Sequence, residues 1–215
     1  DRLRSRGLGD VYKRQVMTGQ AKSAVDTLLA EALKELAEKH PIEKITIKEI
    51  TDRAGVIRPT FYNHFQDKYE LLEWIIMEDL LKPMIPLIKS GMLDQAWIFL
   101  FTSIEREKTF YSKFSRLEGQ NSFEVIIKGC AKKALLQIFS EEGAVEPIKY
   151  SWLTPELVAE YYAQSLCFVI LTWIQGGMAV EPKKLAEIYD YIMKHSLEDA
   201  VSYTHLRAHE TGAYL

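Results

Sequence analysis

The chain has 215 residues, of which 47% are apolar and 27% charged, and its formal net charge is −3. This length can bury one or two cores, and the composition excludes a disordered tail, a collagen-like repeat and a disulfide-stapled miniprotein. Cys130 and Cys167 lack C-x-x-C spacing, which predicts buried thiols in a reducing compartment. The best apolar run, Leu166–Trp173, is too short to span a bilayer. We therefore expect a soluble, cytoplasmic protein without membrane contact.

The two ends lack the apolar periodicity of the rest of the chain, and they are related to each other. Ser5–Gln15 can be back-translated into a nucleotide string whose reverse complement encodes Val201–Glu210. That string resembles a transposase mosaic-end adapter used to prepare sequencing libraries. We therefore predict that residues 1–16 and 201–215 are translated adapter, not a basic arm that follows a DNA groove, and we exclude them from fold reasoning. Without them the net charge is −6.

The first elements predicted in chain order are one long and two short helices. An apolar stripe predicts a helix over 20–39, which Pro41 ends. Thr46 and Glu49 have the spacing of a capping box, which predicts a short helix over 47–53 closed by Gly55. A second short helix then runs through RPTFYNHF. Two short helices joined by a tight turn, after a longer helix, predict a helix-turn-helix unit.

The second short helix carries the side chains that point to function. It exposes polar residues while Phe61 and Phe65 face inward. Arginine suits guanine edges, asparagine suits adenine, and threonine and tyrosine hydroxyls suit phosphates. The exposed set is Arg58, Thr60, Tyr62, Asn63 and His64.

The remainder of the chain predicts further helices and no strands. Asp67 and Glu70 begin a helix that Pro83 and Pro86 are expected to interrupt. Apolar periodicity and turn residues place later helices at 93–107, 110–116, 122–139, 155–175 and 182–197. The predicted fold class is all-α, with a three-helix head followed by a helical body.

The stretch ITIKEITDRAGVIRPTFYNHFQDKYELL resembles the DNA-binding segment of TetR/AcrR-type bacterial transcriptional regulators. The shorter YNHFQDKYELLEWI is similar to regulators of the dihydroxyacetone-kinase operon type. The resemblance implies a DNA-binding domain over 17–68, with its helix-turn-helix motif at 46–65, and a regulatory and dimerisation domain over 69–200. Ile57 departs from the family, which usually has serine or another capping residue there. The resemblance implies phosphate contacts by Thr46, Thr60, Tyr62 and Lys68, and base contacts by Arg58, Pro59, Asn63 and His64.

The same resemblance implies a dimeric repressor that a small apolar or aromatic effector releases from a palindromic DNA operator. The effector pocket is expected among Trp97, Phe101, Phe110, Phe114 and Phe123, although an aromatic stripe is also typical of a core. The dimer interface is expected at Leu166, Ile170, Trp173, Ile188 and Ile192, although these residues also suit a monomer core. Arg106 and Arg116 suit either an anionic effector or a solvated surface.

Charge is divided unequally between the two predicted domains. Residues 17–68 carry eight basic and eight acidic side chains, whereas residues 69–199 carry 13 and 19. A neutral head is not the basic footprint of a general nucleic-acid binder. It suits a dimer that makes a few well-placed contacts in two half-sites.

Two alternatives to an effector-controlled regulator follow from the sequence. A regulator of the same fold controlled by a protein partner needs no small-molecule pocket, so a cavity of several hundred Å³ would discriminate the two hypotheses. An enzyme is disfavoured because no phosphate loop, H-E-x-x-H or G-x-S-x-G motif occurs. His195 and Asp199 have metal-ligand spacing, but a histidine at a helix end is the simpler interpretation. We predict no catalytic residue, metal or cofactor.

Overall fold

The computed structural model describes residues 24–140 and 150–195. Every regular element within these ranges is helical, which confirms the all-α prediction. The predicted adapter segments, the start of the first helix at Gln20, and Asp199 lie outside the described residues.

The head consists of three helices and one 3-10 turn. The first helix, α1, covers 24–37, and the 3-10 turn Ile42–Lys44 leads into α2, Ile47–Ala54, and α3, Arg58–Tyr62. The capping box at the start of α2 is confirmed, because the Thr46 N–H donates to Glu49 Oε2 at 2.8 Å and the Glu49 N–H donates back to Thr46 Oγ1 at 3.2 Å. Gly55 ends α2 at φ +71°, a left-handed conformation that suits glycine.

A nearly continuous helical rod joins the head to the body. It comprises α4, Lys68–Ile76, a π turn at Met77–Leu81, and α5, Lys82–Lys89. The prediction that Pro83 and Pro86 interrupt the helix is wrong, because both lie inside α5. The Lys82 N–H donates to the Met77 carbonyl, five residues back, directly before Pro83, which has no N–H to continue the ladder. The π turn shifts the hydrogen-bond pattern by one residue ahead of Pro83, so the helical rod continues through the proline.

The body contains five further helices, which pack around one core. They are α6, Leu93–Arg106, α7, Lys108–Phe114, α8, Phe123–Phe139, α9, Pro155–Gln175, and α10, Pro182–Lys194, with a 3-10 turn at Gly119–Asn121. The main packing pairs are α8 with α9 and α10 with α6, and α4 also reaches α8. Buried apolar residues form one cluster that runs from Leu29 in the head to Tyr189 in the body. The head therefore packs directly on the body.

Helix α9 is unusually apolar for its place at the surface of the body. Among the described residues it is the one helix whose length and composition would allow it to cross a membrane, a test that core helices of soluble proteins also pass. One side of α9 is buried, while Tyr161 and Phe168 are 69% and 67% exposed on the other. Apolar residues therefore lie on both the buried and the exposed side of α9.

Both cysteines are buried, as the sequence predicts. Burial raises the pKa of Cys130 to about 12 and that of Cys167 to about 11. Because the thiolate is the reactive form, we expect neither thiol to react with iodoacetamide at pH 8 in the folded protein. Unfolding in guanidinium chloride should expose both, and mass spectrometry would count the labels. Rapid labelling of the native protein would contradict the packing of α8 against α9.

Candidate nucleic-acid interface

The outer surface of α3 carries exposed polar side chains. Arg58, Pro59, Tyr62 and Asn63 are exposed, and Thr60 is half-buried. The Arg58 guanidinium donates to Tyr62 Oη at a long 3.4 Å, so little holds either side chain in place. Guanidinium, amide and phenol groups thus lie together and remain available to a ligand.

The inner surface of α3 fixes the helix to the rest of the head. Phe61 is fully buried and Phe65 almost so. Their rings pack at a centroid distance of 5.9 Å, and Phe65 contacts the Trp74 ring of α4 edge-to-face at 6.3 Å. These contacts hold a five-residue helix that is too short to be stable alone.

His64, expected to face bases, is instead directed inward. Its Nδ1 lies 2.6 Å from Asp26 Oδ1 of α1, and both side chains are 11% exposed. The sequence did not indicate this pair, because its members are 38 residues apart and meet only when α3 packs on α1. His64 therefore joins the end of α3 to α1, and a base contact by this residue stays a prediction.

Lys68, expected to contact phosphate, has its amine engaged within the head. Its Nζ donates to the carbonyls of Ile42, Glu43 and Ile45 at 2.8, 2.7 and 2.8 Å. Burial lowers the pKa of this amine, against the attraction of Glu43 and Asp67. Lys68 thus closes the loop between the 3-10 turn and α2, and a phosphate contact would have to displace backbone acceptors.

The two helices of the helix-turn-helix motif differ in how their N-termini are capped. The exposed Thr46 hydroxyl donates to Glu49 Oε2 at 2.7 Å, and a phosphate contact by this residue stays a prediction. Ile57, at the start of α3, makes no side-chain cap and is 68% exposed. The structure therefore confirms the missing cap that the sequence indicated at Ile57.

A cavity of about 300 Å³ lies within the body, between α5, α6, α8, α9 and α10. Its wall is almost entirely apolar, and Asp190 and Lys194 of α10, whose side chains pair at 2.7 Å, supply polar groups at one side. The apolar lining includes Met84, Ile88, Trp97, Leu135, Leu166 and Met193.

Only one of the five aromatic residues predicted for the effector pocket lines this cavity. Trp97 does so, whereas Phe101, Phe110, Phe114 and Phe123 fill the core. The Phe114 and Phe123 rings meet edge-to-face at 4.9 Å. These four rings therefore belong to the core rather than to a pocket wall. Arg106 and Arg116 are exposed and do not line the cavity.

The residues predicted for a dimer interface also divide into two groups. Leu166, Ile170 and Trp173 are buried inside the subunit, and the Trp173 indole donates to the Val180 carbonyl at 2.8 Å. These three residues therefore belong to the core. Ile188 and Ile192 are exposed, 39% and 56%.

Exposed apolar side chains on α9 and α10 include Ile188 and Ile192, which were predicted for the dimer interface, and three residues that the sequence reasoning missed. The full set is Tyr161 and Phe168 on α9 with Ile188, Tyr191 and Ile192 on α10, which we call the α9–α10 face. The seven-residue spacing of Tyr161 and Phe168 was the available signal. The His195 ring stacks on Tyr191 at 3.7 Å, and its Nδ1 lies 2.8 Å from the Tyr191 carbonyl. His195 therefore ends α10, and the described residues hold no cluster of metal ligands.

Helix α2 begins at a cap and ends at a glycine turn, and α3 follows with an exposed polar surface. This is the arrangement of a helix-turn-helix DNA-binding protein. The motif is attached to a helical body that contains a partly open cavity.

The comparisons with known proteins agree with this class. Residues 28–75 match the family described as "Bacterial regulatory proteins, tetR family", and residues 93–195 match "Transcriptional regulator C-terminal region". Together the two regions cover more than two thirds of the chain. The chain belongs to the TetR family of bacterial regulatory proteins, and it is a DNA-binding transcriptional regulator rather than an enzyme.

Individual relatives are distant. The HTH-type dhaKLM operon transcriptional activator DhaS of Lactococcus lactis is 24% identical over 158 residues, covering 72% of this chain and 81% of that protein. The uncharacterised regulator YxbF of Bacillus subtilis is 25% identical over 76% of this chain, which spans only 43% of YxbF.

Two solved structures share the fold. The dihydroxyacetone kinase operon activator DhaS has a TM-score of 0.51 at 20% identity, over 78% of this chain and 93% of its own. The Pseudomonas aeruginosa repressor NalD also has a TM-score of 0.51, at 16% identity, over 81% of this chain and 95% of its own.

Proposed function

We propose that this regulator is a cytoplasmic, dimeric repressor that binds a palindromic operator through α3 and leaves it when a small apolar effector fills the cavity. The observation that carries the DNA-binding part is the exposed polar surface of α3 on a buried aromatic anchor. A rigid helix with free polar side chains suits the major groove.

Each exposed residue of α3 has a separate task in this proposal. Arg58 and Asn63 hydrogen-bond to base edges, and Tyr62 donates its hydroxyl to a phosphate. Arg58, Pro59 and the half-buried Thr60 occupy the first turn, the part of a recognition helix that contacts bases in helix-turn-helix proteins. His64 and Lys68 support this surface from behind through Asp26 and the carbonyls of the 3-10 turn.

Dimerisation in the proposal uses the α9–α10 face. The subunit exposes five large apolar residues on α9 and α10, and contiguous exposed apolar surface of this kind is unusual on a protein without a partner. A second copy packed symmetrically on this face covers both sets of side chains, and it presents two α3 helices to two operator half-sites.

The cavity favours a small-molecule effector over a protein partner. Its volume, about 300 Å³, is at the lower end of ligand pockets. The apolar wall with Trp97 suits a small apolar or aromatic molecule, and the Asp190–Lys194 pair offers one polar contact. Among the named relatives, NalD is a repressor and DhaS an activator. We propose repression because it requires only that the dimer occupy its operator.

The test begins with selection of binding sites from a random DNA duplex library by the purified full chain. We expect a palindromic site with two half-sites about one helical turn apart. Tyr62→Ala should weaken binding to every selected sequence, because a phosphate contact carries no sequence information. Asn63→Ala should cost roughly 1–3 kcal/mol and relax the preference at one base pair. Gel shifts at fixed salt measure both.

Two variants serve as controls. Tyr62→Phe removes only the hydroxyl and separates the phosphate contact from packing on Phe61. Asn121→Ala changes the same residue type on the exposed 3-10 turn of the body and should leave binding unchanged. Unchanged affinity of both Tyr62→Ala and Asn63→Ala would contradict the proposed interface. Transcription from a promoter that overlaps the selected site then distinguishes repression from activation.

A further inference from the structure

Ile57 is an apolar residue in a position where neither its backbone nor its surroundings favour one. It occupies the N-cap of α3, where Ser, Thr, Asp and Asn stabilise a helix and isoleucine does not. Its side chain is 68% exposed, more than that of any other large apolar residue of the described head. In the isolated protein the residue therefore loses a cap and exposes apolar surface.

The backbone determines the direction of the Ile57 side chain. Ile57 is extended, with φ −87° and ψ 153°, and successive side chains of an extended segment point to opposite sides. Val56 packs against the core, so Ile57 points away from it. The Ile57 carbonyl accepts the Thr60 N–H at 2.9 Å, which fixes the residue to the first turn of α3. Ile57 thus lies beside Arg58 and Pro59, at the end of α3 that faces the bases.

We propose that Ile57 is a specificity-determining residue that reads the C5-methyl group of a thymine in each operator half-site. Among the base-edge groups of the major groove, the thymine methyl is the apolar one, and an isoleucine has no donor or acceptor for the others. Covering the methyl removes apolar surface of both partners from water and offsets the missing cap. The proposal rests on the proposed DNA-binding function and deepens it.

The experiment replaces thymine by deoxyuridine, which removes only the methyl group. In the operator selected by the full chain, each symmetric thymine pair is replaced in turn, and affinity is measured at one salt concentration. For the unmodified protein we expect replacement of one symmetric thymine pair to lower the affinity. Losing one methyl contact should lower the affinity about fourfold per half-site, and losing both should lower it about 15-fold. Ile57→Ser should bind the thymine and deoxyuridine operators equally, whereas Ile57→Val, which keeps an apolar side chain, should retain discrimination.

A stability measurement shows that Ile57→Ser is folded. Because serine restores the N-cap, this variant should unfold at a temperature about 2–4 °C higher than the unmodified protein. The inference is overturned if deoxyuridine has no effect at any position, or if the effect persists in Ile57→Ser, since another side chain such as Pro59 would then read the methyl. Failure to select any site would instead contradict the DNA-binding function itself.

Discussion

Replacing Lys34 by methionine is expected to lower the free energy of unfolding by about 2–4 kcal/mol. Lys34 of α1 is only 12% exposed, and its Nζ lies 2.5 Å from Asp79 Oδ2 and 2.9 Å from Glu107 Oε1. Asp79 belongs to the π turn and Glu107 to the junction of α6 and α7. One amine therefore joins the head to two separate elements of the body.

The large effect follows from what the substitution leaves behind. Burial opposes the charge of Lys34, but the hydrogen bonds to Asp79 and Glu107 outweigh it, and the pKa of the amine is raised. The other Glu107 oxygen, Oε2, is buried without a hydrogen-bond partner among the described residues. Without Lys34, two partly buried carboxylates lose the amine that both of them contact, which costs more than losing an exposed pair.

The matched control is Lys48→Met, which breaks a lysine–carboxylate pair of similar length at the surface. Lys48 Nζ lies 2.7 Å from Asp52 Oδ2, but the lysine side chain is 72% exposed. Solvent screens such a pair, so we expect Lys48→Met to lower the free energy of unfolding far less than Lys34→Met does. Urea unfolding followed by circular dichroism measures both variants. Equal losses would show that Lys34 does not hold the head on the body.

Asp79, one partner of Lys34, lies close to the cavity along the chain. Asp79 precedes Leu81 by two residues, and Leu81 lines the cavity. A second link between head and body is the Lys113 amine, which donates to the Glu38 carbonyl at 2.7 Å. The pairs of Lys34 with Asp79 and of Lys113 with Glu38 therefore link the head to the body at two places.

If the proposed dimer forms through the α9–α10 face, Phe168→Glu is expected to raise its dissociation constant by at least about 100-fold. Phe168 is 67% exposed on α9, so the subunit itself should fold normally. In a symmetric dimer each substitution is present twice, and two carboxylates would be desolvated within an apolar interface. Sedimentation velocity over a range of protein concentrations measures the change.

The control for this experiment is Leu28→Glu. Leu28 is 51% exposed on α1 of the head, so the variant introduces the same charge at an exposed apolar position outside the α9–α10 face. It should remain dimeric. A Phe168→Glu protein that stays dimeric at micromolar concentration would show that subunits associate through another surface. Loss of operator binding together with loss of the dimer would link the two parts of the proposed function.

Local features of the fold were predictable from short segments. The capping box at Thr46 and Glu49 and the cap at Asp67 form as the sequence indicated. Each depends on atoms no more than three residues apart, so its geometry follows from local backbone conformation. The left-handed turn at Gly55 belongs to the same class.

Features that depend on distant partners were not predictable in this way. His64 and Lys68 carry polar groups that suit DNA equally well, and only the packing of α1 and the 3-10 turn shows that they are engaged within the head. The π turn before Pro83 likewise adjusts the rod to two prolines that the sequence alone marks as helix breakers.

The sequence alone predicted an all-α regulator with a neutral head and an acidic body. The prediction came from composition and charge together with the apolar periodicity and the helix-turn-helix motif. It was possible because helix caps, apolar stripes and the helix-turn-helix motif are local patterns. The tertiary structure decided which aromatic residues fill the core and which line the cavity, and which apolar residues remain exposed on α9 and α10. Periodicity identifies the apolar side of a helix, but only the neighbouring helices determine whether that side is filled, hollow or uncovered.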